Sequence, residues 1–503
     1  MAKIYPSLKE FIEKSRVGNL IPVYKEVLAD METPVSAFKK IDDGKGLCFL
    51  FESVEGGEKW GRYSFLGFNP KMIVRSKGDV VEVIDVKGNI VKKEKAEDPL
   101  AVLKDILSCY RPVEIDDLPR FYGGAIGYIG YDMVRGFERL PDLHKKDLDV
   151  YESFFMITDT LLIFDNVRHM IKVVSNAYVE EDDTPEDSYR DAIDKIDFLI
   201  DRLRRCDVSE LSDGTMPGEV KRQEGFSVSS NFRKKRFMDA VNKIKEYIRA
   251  GDIMQAVLSQ RFEAPLDVEP FDIYRALRVI NPSPYMFYLR LDGLELVGSS
   301  PEILVRVEDG EVDLRPIAGT RPRGRDEEED NLLNDELLQD SKELAEHIML
   351  VDLGRNDVGR VAETGSVRVS ELMTVERYSH VMHIVSHVHG TLRKDKDYFD
   401  VVRACFPAGT LSGAPKIRAM EIIEELEPDR RGTYGGSIGY FGFSTNMDMC
   451  ITIRTLLIKD GRIYIQAGAG IVADSNPERE YEETVNKAMA MFKAVEMARQ
   501  GLD

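Results

Sequence analysis

The sequence predicts a mixed α/β (α+β) protein, built as two domains or as one large interlocked body. Three observations predict it. At 503 residues the chain is too long for one ordinary domain. Short apolar or alternating runs bounded by glycine, the pattern of strands, recur between residues 21 and 174 and again between 253 and 467. Longer segments with apolar residues at helical spacing lie between and after them. A hydrophobic content of 43% beside 31% charged residues suits a globular chain with a sizeable core.

In order, residues 7–30 read as a polar-faced helix followed by a strand at Ile21-Pro22-Val23-Tyr24. Strands are predicted over 46–51 and 60–68, and a hairpin over 80–91 with Lys87-Gly88-Asn89 as its turn. Residues 121–131, Gly-rich and aromatic, read as a tightly packed strand pair. Residues 154–164 and 169–174 read as paired strands, and 187–205 as a long helix. From 207 to 232 periodicity is lost and Ser, Asp, Gly, Pro and Lys gather. This is the predicted linker between an N-terminal region, 1–206, and a C-terminal one, 233–503. The second half opens on an amphipathic helix, 233–250, with Phe237, Val241, Ile244 and Ile248 on one face and Gly251 after it. Strands follow over 253–261, 285–291, 295–299 and 303–307. A polar run, 321–330, then leads into a helix over 331–353. Strands at 437–443, 450–458 and 462–467 and a helix from 477 close the chain.

The 69 basic and 89 acidic residues leave a net charge of −20, which argues against binding to nucleic acid or an anionic membrane. Cys48, Cys109, Cys206, Cys405 and Cys450 are scattered and odd in number, as reduced thiols of a cytoplasmic protein would be. The N-terminus lacks a signal-peptide pattern, and no apolar run reaches the ~18 residues of a membrane span.

Chemistry concentrates in the second half. Phe406-Pro407-Ala408-Gly409-Thr410-Leu411-Ser412-Gly413-Ala414-Pro415-Lys416 breaks two helical segments with a turn whose backbone can approach a ligand. Lys416 then opens a helix, where amides favour an anion. Glu343 and Glu346, and likewise Glu480 and Glu483, are three apart on predicted helices and share a face. Most such pairs are solvated; two of them beside anion-binding turns point to a hard divalent cation such as Mg2+. Gly468-Ala469-Gly470, between a strand and a helix, reads as a backbone-amide cradle for a carboxylate. The basic turn 315–325 is either an anion site or a loop salted to the acidic residues after it. His383, in an apolar run, is either a core histidine or an acid/base group. Arg454, inside a predicted strand, needs an anion partner. These residues alone point to a small carboxylate bound with a metal ion in the C-terminal half.

Together the stretches resemble the chorismate-utilising enzymes. The matching pieces are Ser300-Pro301-Glu302, Pro316-Ile317-Ala318-Gly319-Thr320-Arg321, Lys342-Glu343-x-x-Glu346-His347, Val351-Asp352-Leu353-Gly354-Arg355-Asn356-Asp357, the 407–416 loop, Gly468-Ala469-Gly470 and Glu480-Tyr481-x-Glu483-Thr484-x-x-Lys487. The resemblance runs from about 233 to the C-terminus and continues more loosely through the first half. It implies a large interlocked sandwich of mostly antiparallel sheets with helices outside, the N-terminal region packed on the chorismate-binding half. Aminodeoxychorismate synthases commonly carry Lys at the position of Ala318, and isochorismate and salicylate synthases carry a water-activating Lys at that of Gln255. Lacking both, the chain resembles the branch that turns chorismate and ammonia into anthranilate and pyruvate in tryptophan biosynthesis.

The resemblance further implies roles. Glu302 would be the acid assisting hydroxyl loss, and His383 would serve the elimination. Mg2+ would sit on Glu346 and Glu483, with Glu343 and Glu480 near or through water. Gly319, Thr320, Thr410, Gly468, Ala469 and Gly470 would position the ring and its carboxylate; Tyr434, Arg454 and Lys487 would bind the remaining anionic parts. Glu52, Ser53, Pro284, Tyr285 and Met286 would form a tryptophan feedback site, with Glu52 on the amino group. No cysteine sits in a Gly-x-Cys-x-Gly elbow. Ammonia would therefore come from a glutamine amidotransferase subunit (component II), in a heterotetramer with two of each subunit. The rivals are the aminodeoxychorismate and isochorismate or salicylate synthases and, from another class, a non-catalytic tryptophan-sensing subunit.

Overall fold

The computed structural model describes residues 3–54, 61–144, 147–180, 182–205, 227–378 and 381–502. Two large, almost wholly antiparallel sheets pack face to face, of 13 and 12 strands among the described residues, and helices cover their outer faces. The expected α+β sandwich is the observed one.

Neither sheet belongs to one half of the chain. In the first, Cys48–Glu52 pairs with Tyr285–Leu291 in the register Glu52↔Met286 and Leu50↔Tyr288. In the second, Gly124–Ile129 pairs with Ser437–Gly442. The N-terminal strands are thereby stitched into both sheets of the C-terminal half. Between the sheets lies the largest core, which includes Phe49, Phe65, Phe121, Tyr128, Phe287 and Phe441. A second core lies between the first sheet and its helices, with Phe38, Leu50, Tyr274, Tyr288 and Phe492. The alternation of side chains along each strand is what feeds both cores at once.

Most expected elements form, and two of the exceptions share one cause. Residues 121–131 hold a single strand, Gly124–Ile129, not a pair; its partners are Ser437–Gly442 and Ser153–Thr158. The 154–164 run divides at Asp159: Ser153–Thr158 joins the second sheet and Thr160–Asp165 the first. The 450–458 run divides likewise into Met447–Ile451 and Thr455–Lys459, in different sheets. Continuous apolar runs cross from one sheet to the other, and periodicity alone does not mark the crossing. The 331–353 helix is two helices, Glu327–Gln339 and Ser341–Gly359, separated by Asp340, which caps the second by accepting from the Lys342 and Glu343 amides. Of the predicted linker, residues 207–226 lie outside the described residues, and Ser229–Ser230 is a short strand on Gln255–Pro265. Cys48, Cys109, Cys405 and Cys450 are free thiols, and Cys206 lies outside the described residues. No helix among the described residues is long and apolar enough to cross a membrane.

Candidate active site

Glu302 sits in the turn between Leu294–Ser300 and Ile303–Glu308. The turn is clipped to the neighbouring strand: Ser300 Oγ donates to the Ile451 carbonyl at 2.6 Å, and the Ile451 amide to the Glu302 carbonyl at 3.0 Å. Thr410, in the one-turn helix Gly409–Leu411, donates to Glu302 Oε1 at 3.1 Å. Burial pushes the Glu302 carboxyl up to about 8, against the opposing pull of Thr410 and Arg454. Glu302 is thus a carboxylic acid, still protonated at neutral pH.

His383 lies on Val381–Thr391, opposite Thr320. The facing strand bulges between Ala318 and Thr320, and Gly319 supplies the required positive φ, +67°. The bulge turns the Gly319 carbonyl towards His383 Nδ1, 2.9 Å away, with Thr320 Oγ1 at 3.1 Å. A carbonyl only accepts, so Nδ1 carries the proton and Nε2 keeps its lone pair. Burial holds the imidazole below its ordinary value, hence neutral.

Arg454 is not in a strand. It occupies the crossing between sheets with φ +48° and is half-buried. Its charge acts on both Glu302 and His383, which puts all three within one electrostatic neighbourhood.

Glu343 and Glu346 lie in the first turns of Ser341–Gly359, and Glu480 and Glu483 in the first turns of Pro477–Gln500. Burial, then the like charge of Glu346, raises Glu343; burial and the like charge of Glu483 raise Glu480. Lys342 acts on both Glu343 and Glu480, so the two helix starts are neighbours. Among the described residues no three His, Cys, Asp or Glu side chains form a ready metal cage. The donor set still fits a hard divalent ion held partly through water: two repelling carboxylate pairs, with Glu480 buried, Glu343 and Glu346 partly buried and Glu483 exposed, favour a positive charge between them. Part of that need is met locally. Gln255 Nε2 donates to Glu346 at 3.2 Å, Lys487 pairs with Glu483 at 2.7 Å, and Arg321 approaches Glu343 at 3.6 Å.

Gly468, Ala469 and Gly470 lie inside the strand Arg462–Ile471, not in a loop after it. One edge of this stretch pairs with residues 257–259, while the Thr455–Lys459 pairing ends at Ile465, which leaves the other edge without a strand neighbour among the described residues. That open edge is the stretch that the sequence reads as a carboxylate cradle. Lys487 reaches it, donating to the Gly468 carbonyl at 3.0 Å. Bulk is excluded here: a Cβ at Gly470 would meet Gln255 Nε2 at 2.3 Å, and one at Gly468 the Tyr434 Oη at 2.8 Å.

Lys416, read as opening an anion site, and the basic turn, read as an anion site or a salted loop, both have carboxylate partners. Lys416 is taken by Asp357 at 2.8 Å and by the Cys405 carbonyl. The basic turn is salted: Arg315 to Glu376, Arg321 to Glu336 and Asp340, Arg323 to Asp330, Arg325 to Glu329.

Glu52, Ser53, Pro284, Tyr285 and Met286 line one cavity of about 70 Å³ at the seam between halves, with Arg120, Arg306, Tyr440 and Asp448. The Glu52 carboxylate is not free for an amino group. Tyr274 Oη donates to it and Arg278 grips it at 2.9 and 3.1 Å, on the helix side of the sheet. Sequence reading missed Arg278, Tyr274 and the buried Asp448 network with Arg306, Arg120 and Tyr285. Arg306 and Asp448 are charges inside apolar strands, which was a signal; Arg278 and Tyr274, on the helix Pro270–Ile280, gave none.

A buried carboxyl bonded by Thr410, a histidine whose Nδ1 faces the Gly319 carbonyl and two carboxylate pairs on neighbouring helix starts are groups that an acid/base enzyme would use. Residues 48–493 match the chorismate binding enzyme family, and the chain belongs to it. Anthranilate synthase component 1 of Acetivibrio thermocellus is 51% identical over 499 residues, covering 98% of this chain and 99% of the relative. The crystal structure of anthranilate synthase component I from Streptococcus pneumoniae superimposes with a TM-score of 0.76 at 36% identity, over 92% of this chain and 98% of that one. The menaquinone-specific isochorismate synthase of Escherichia coli shares the fold at a TM-score of 0.68 but only 18% identity, over 97% of this chain and 99% of that one. Within the family the chain therefore groups with the component I anthranilate synthases.

Proposed function

We propose that the chain converts chorismate and ammonia into anthranilate, pyruvate and water, as a Mg2+-dependent lyase of tryptophan biosynthesis. The observation that carries this reading is the Glu302–Thr410 pair within the field of Arg454, which also acts on His383. Glu302, protonated at neutral pH, donates to the departing ring hydroxyl while ammonia adds at the ring carbon beside the carboxylate-bearing one. His383 Nε2 then takes the proton from the amine-bearing ring carbon as the enolpyruvyl C–O bond breaks, and the released enolate takes up a proton, equivalent to the one that the added ammonia sheds, to become pyruvate. Gly319, Thr320 and the open edge at Gly468 to Gly470 orient the ring and its carboxylate; Tyr434, Arg454 and Lys487 hold the other anionic parts. Glu346 and Glu483, with Glu343 and Glu480 near or through water, would hold Mg2+, which would supply charge neutralisation at the ring carboxylate. Gln255 against Glu346 offers no ammonium to activate water, which favours ammonia as nucleophile.

Ammonia comes from a glutamine amidotransferase subunit, the second component that the component 1 naming of the relatives implies, in a heterotetramer with two of each. Tryptophan inhibits by occupying the seam cavity. At about 70 Å³ the cavity is small for it; ligand sites generally exceed ~300 Å³, so entry requires the lining to move. The deciding experiment is anthranilate fluorescence from the purified chain with chorismate, Mg2+ and ammonium, repeated with glutamine. Anthranilate from ammonium alone is expected. Isochorismate or an aminodeoxychorismate product would overturn the reading.

A further inference from the structure

We infer that Arg431, with Glu427, is the positioning pair of this site: its guanidinium holds the turn that presents Thr410 and the wall formed by Tyr434 and Gly468 in one arrangement. The inference rests on the roles given above to Glu302 and Thr410. The two side chains are only 2% and 3% exposed. Arg431 Nε and Nη2 donate to the two Glu427 oxygens at 2.9 and 2.7 Å. Nη1 donates to the Leu411 carbonyl at 2.6 Å, one residue beyond Thr410, and Nη2 to the Val257 carbonyl at 2.7 Å. The Val257 amide in turn donates to the Ser412 carbonyl at 3.0 Å, so the Thr410 turn is tied at two points. The guanidinium lies over the rings of Tyr131 and Tyr434, at 4.6 and 5.6 Å. Tyr434 Oη and Val257 Cγ1 are the atoms that crowd Gly468. Glu427 is anchored by the Ser259 amide and hydroxyl, both at 2.7 Å.

A dry ion pair is a poor source of stability, because the desolvation of both charges offsets their attraction. A planar fork of directional donors does something apolar packing cannot: it reaches two carbonyls and a carboxylate at once. Lysine keeps the charge and loses the fork.

The test uses full-length Arg431→Lys and, separately, the double replacement Arg431→Met with Glu427→Leu. For Arg431→Lys, kcat should fall on the order of 100-fold, the cost of displacing a catalytic group by about 1 Å. KM for chorismate should rise too, but by less than kcat falls, since the Tyr434 and Gly468 wall is only part of the proposed binding surface. The high-pH limb of activity should move upward, because Thr410 holds the Glu302 carboxyl down and Arg454 alone would remain to do so. Thr410→Val should move the limb the same way, and adding Arg431→Lys should move it no further. Hydrogen exchange gives a readout without turnover: residues 406–413 should exchange faster in Arg431→Lys while 294–308 stay as in the wild type. Unchanged exchange over 406–413 in a folded variant overturns the inference, as does an added pH shift in the Thr410→Val background. If Arg431→Lys does not fold, the apolar double replacement decides; it should fold and still lose kcat and protection of the turn, and full activity in it refutes the positioning role. Should the wild type itself yield no anthranilate, the functional reading falls and the exchange pattern alone judges the clamp.

Discussion

At the scale of single residues, the site works through burial. In the proposed reaction Glu302 serves as the acid because water is kept from it, and His383 as the base because the Gly319 carbonyl holds the proton on Nδ1. Both properties have a sign that can be checked. A carboxyl raised to about 8 donates below that pH and fails above it. With rates corrected for free ammonia, activity should therefore fall as pH rises through the value of Glu302. Glu302→Gln should lower kcat by about 10²- to 10⁴-fold and abolish that limb; a high-pH limb that persists in Glu302→Gln would assign it to another group. The same raised value makes stability fall as pH climbs from the ordinary carboxylate range towards 8, since the folded chain holds a proton that the unfolded one releases. The residue types of the site were legible because they recur in a known arrangement. Their pairing was not: nothing in the sequence says that Glu52 is already gripped by Arg278, or that Lys416 is spent on Asp357.

At the scale of elements, helix starts and strand seams carry the proposed regulation and metal dependence. Two helices begin with glutamate pairs, and each pair is destabilising for itself. Glu483→Gln should raise the Mg2+ concentration for half-maximal activity at least about tenfold, as loss of one carboxylate ligand would; an unchanged Mg2+ titration would remove Glu483 from the ligand set. The seam between Cys48–Glu52 and Tyr285–Leu291 carries the proposed tryptophan cavity. Ser53→Phe fills space there and should weaken tryptophan inhibition by an order of magnitude or more while sparing turnover; equal sensitivity in the variant would move the feedback site elsewhere. Helices with a clear amphipathic face, such as Lys234–Ala250 with its Gly251 cap, were readable in advance. Strand runs that change sheet at Asp159 and Arg454 were not, because both halves of each run are apolar.

At the scale of the whole molecule, both sheets are shared by the N- and C-terminal halves. Heat or urea should accordingly give one transition, coincident by far-ultraviolet circular dichroism and by tyrosine fluorescence or exchange at the seam; two separated transitions would mean that the halves fold on their own. The sequence by itself determined the fold class, the positions of most helices and strands, the family, and the residues assigned to chemistry, because these depend on local periodicity and on motifs of fixed spacing. Only the tertiary structure decided which sheet each strand joins, that Arg454 stands at a crossing, that Gly468 to Gly470 form an open strand edge, and that Arg431 binds the Thr410 turn. The physical reason is that hydrogen-bond and charge pairing are made between residues far apart in the chain. An arginine in a sequence looks the same whether its partner is water, a substrate or a carboxylate already waiting in the core.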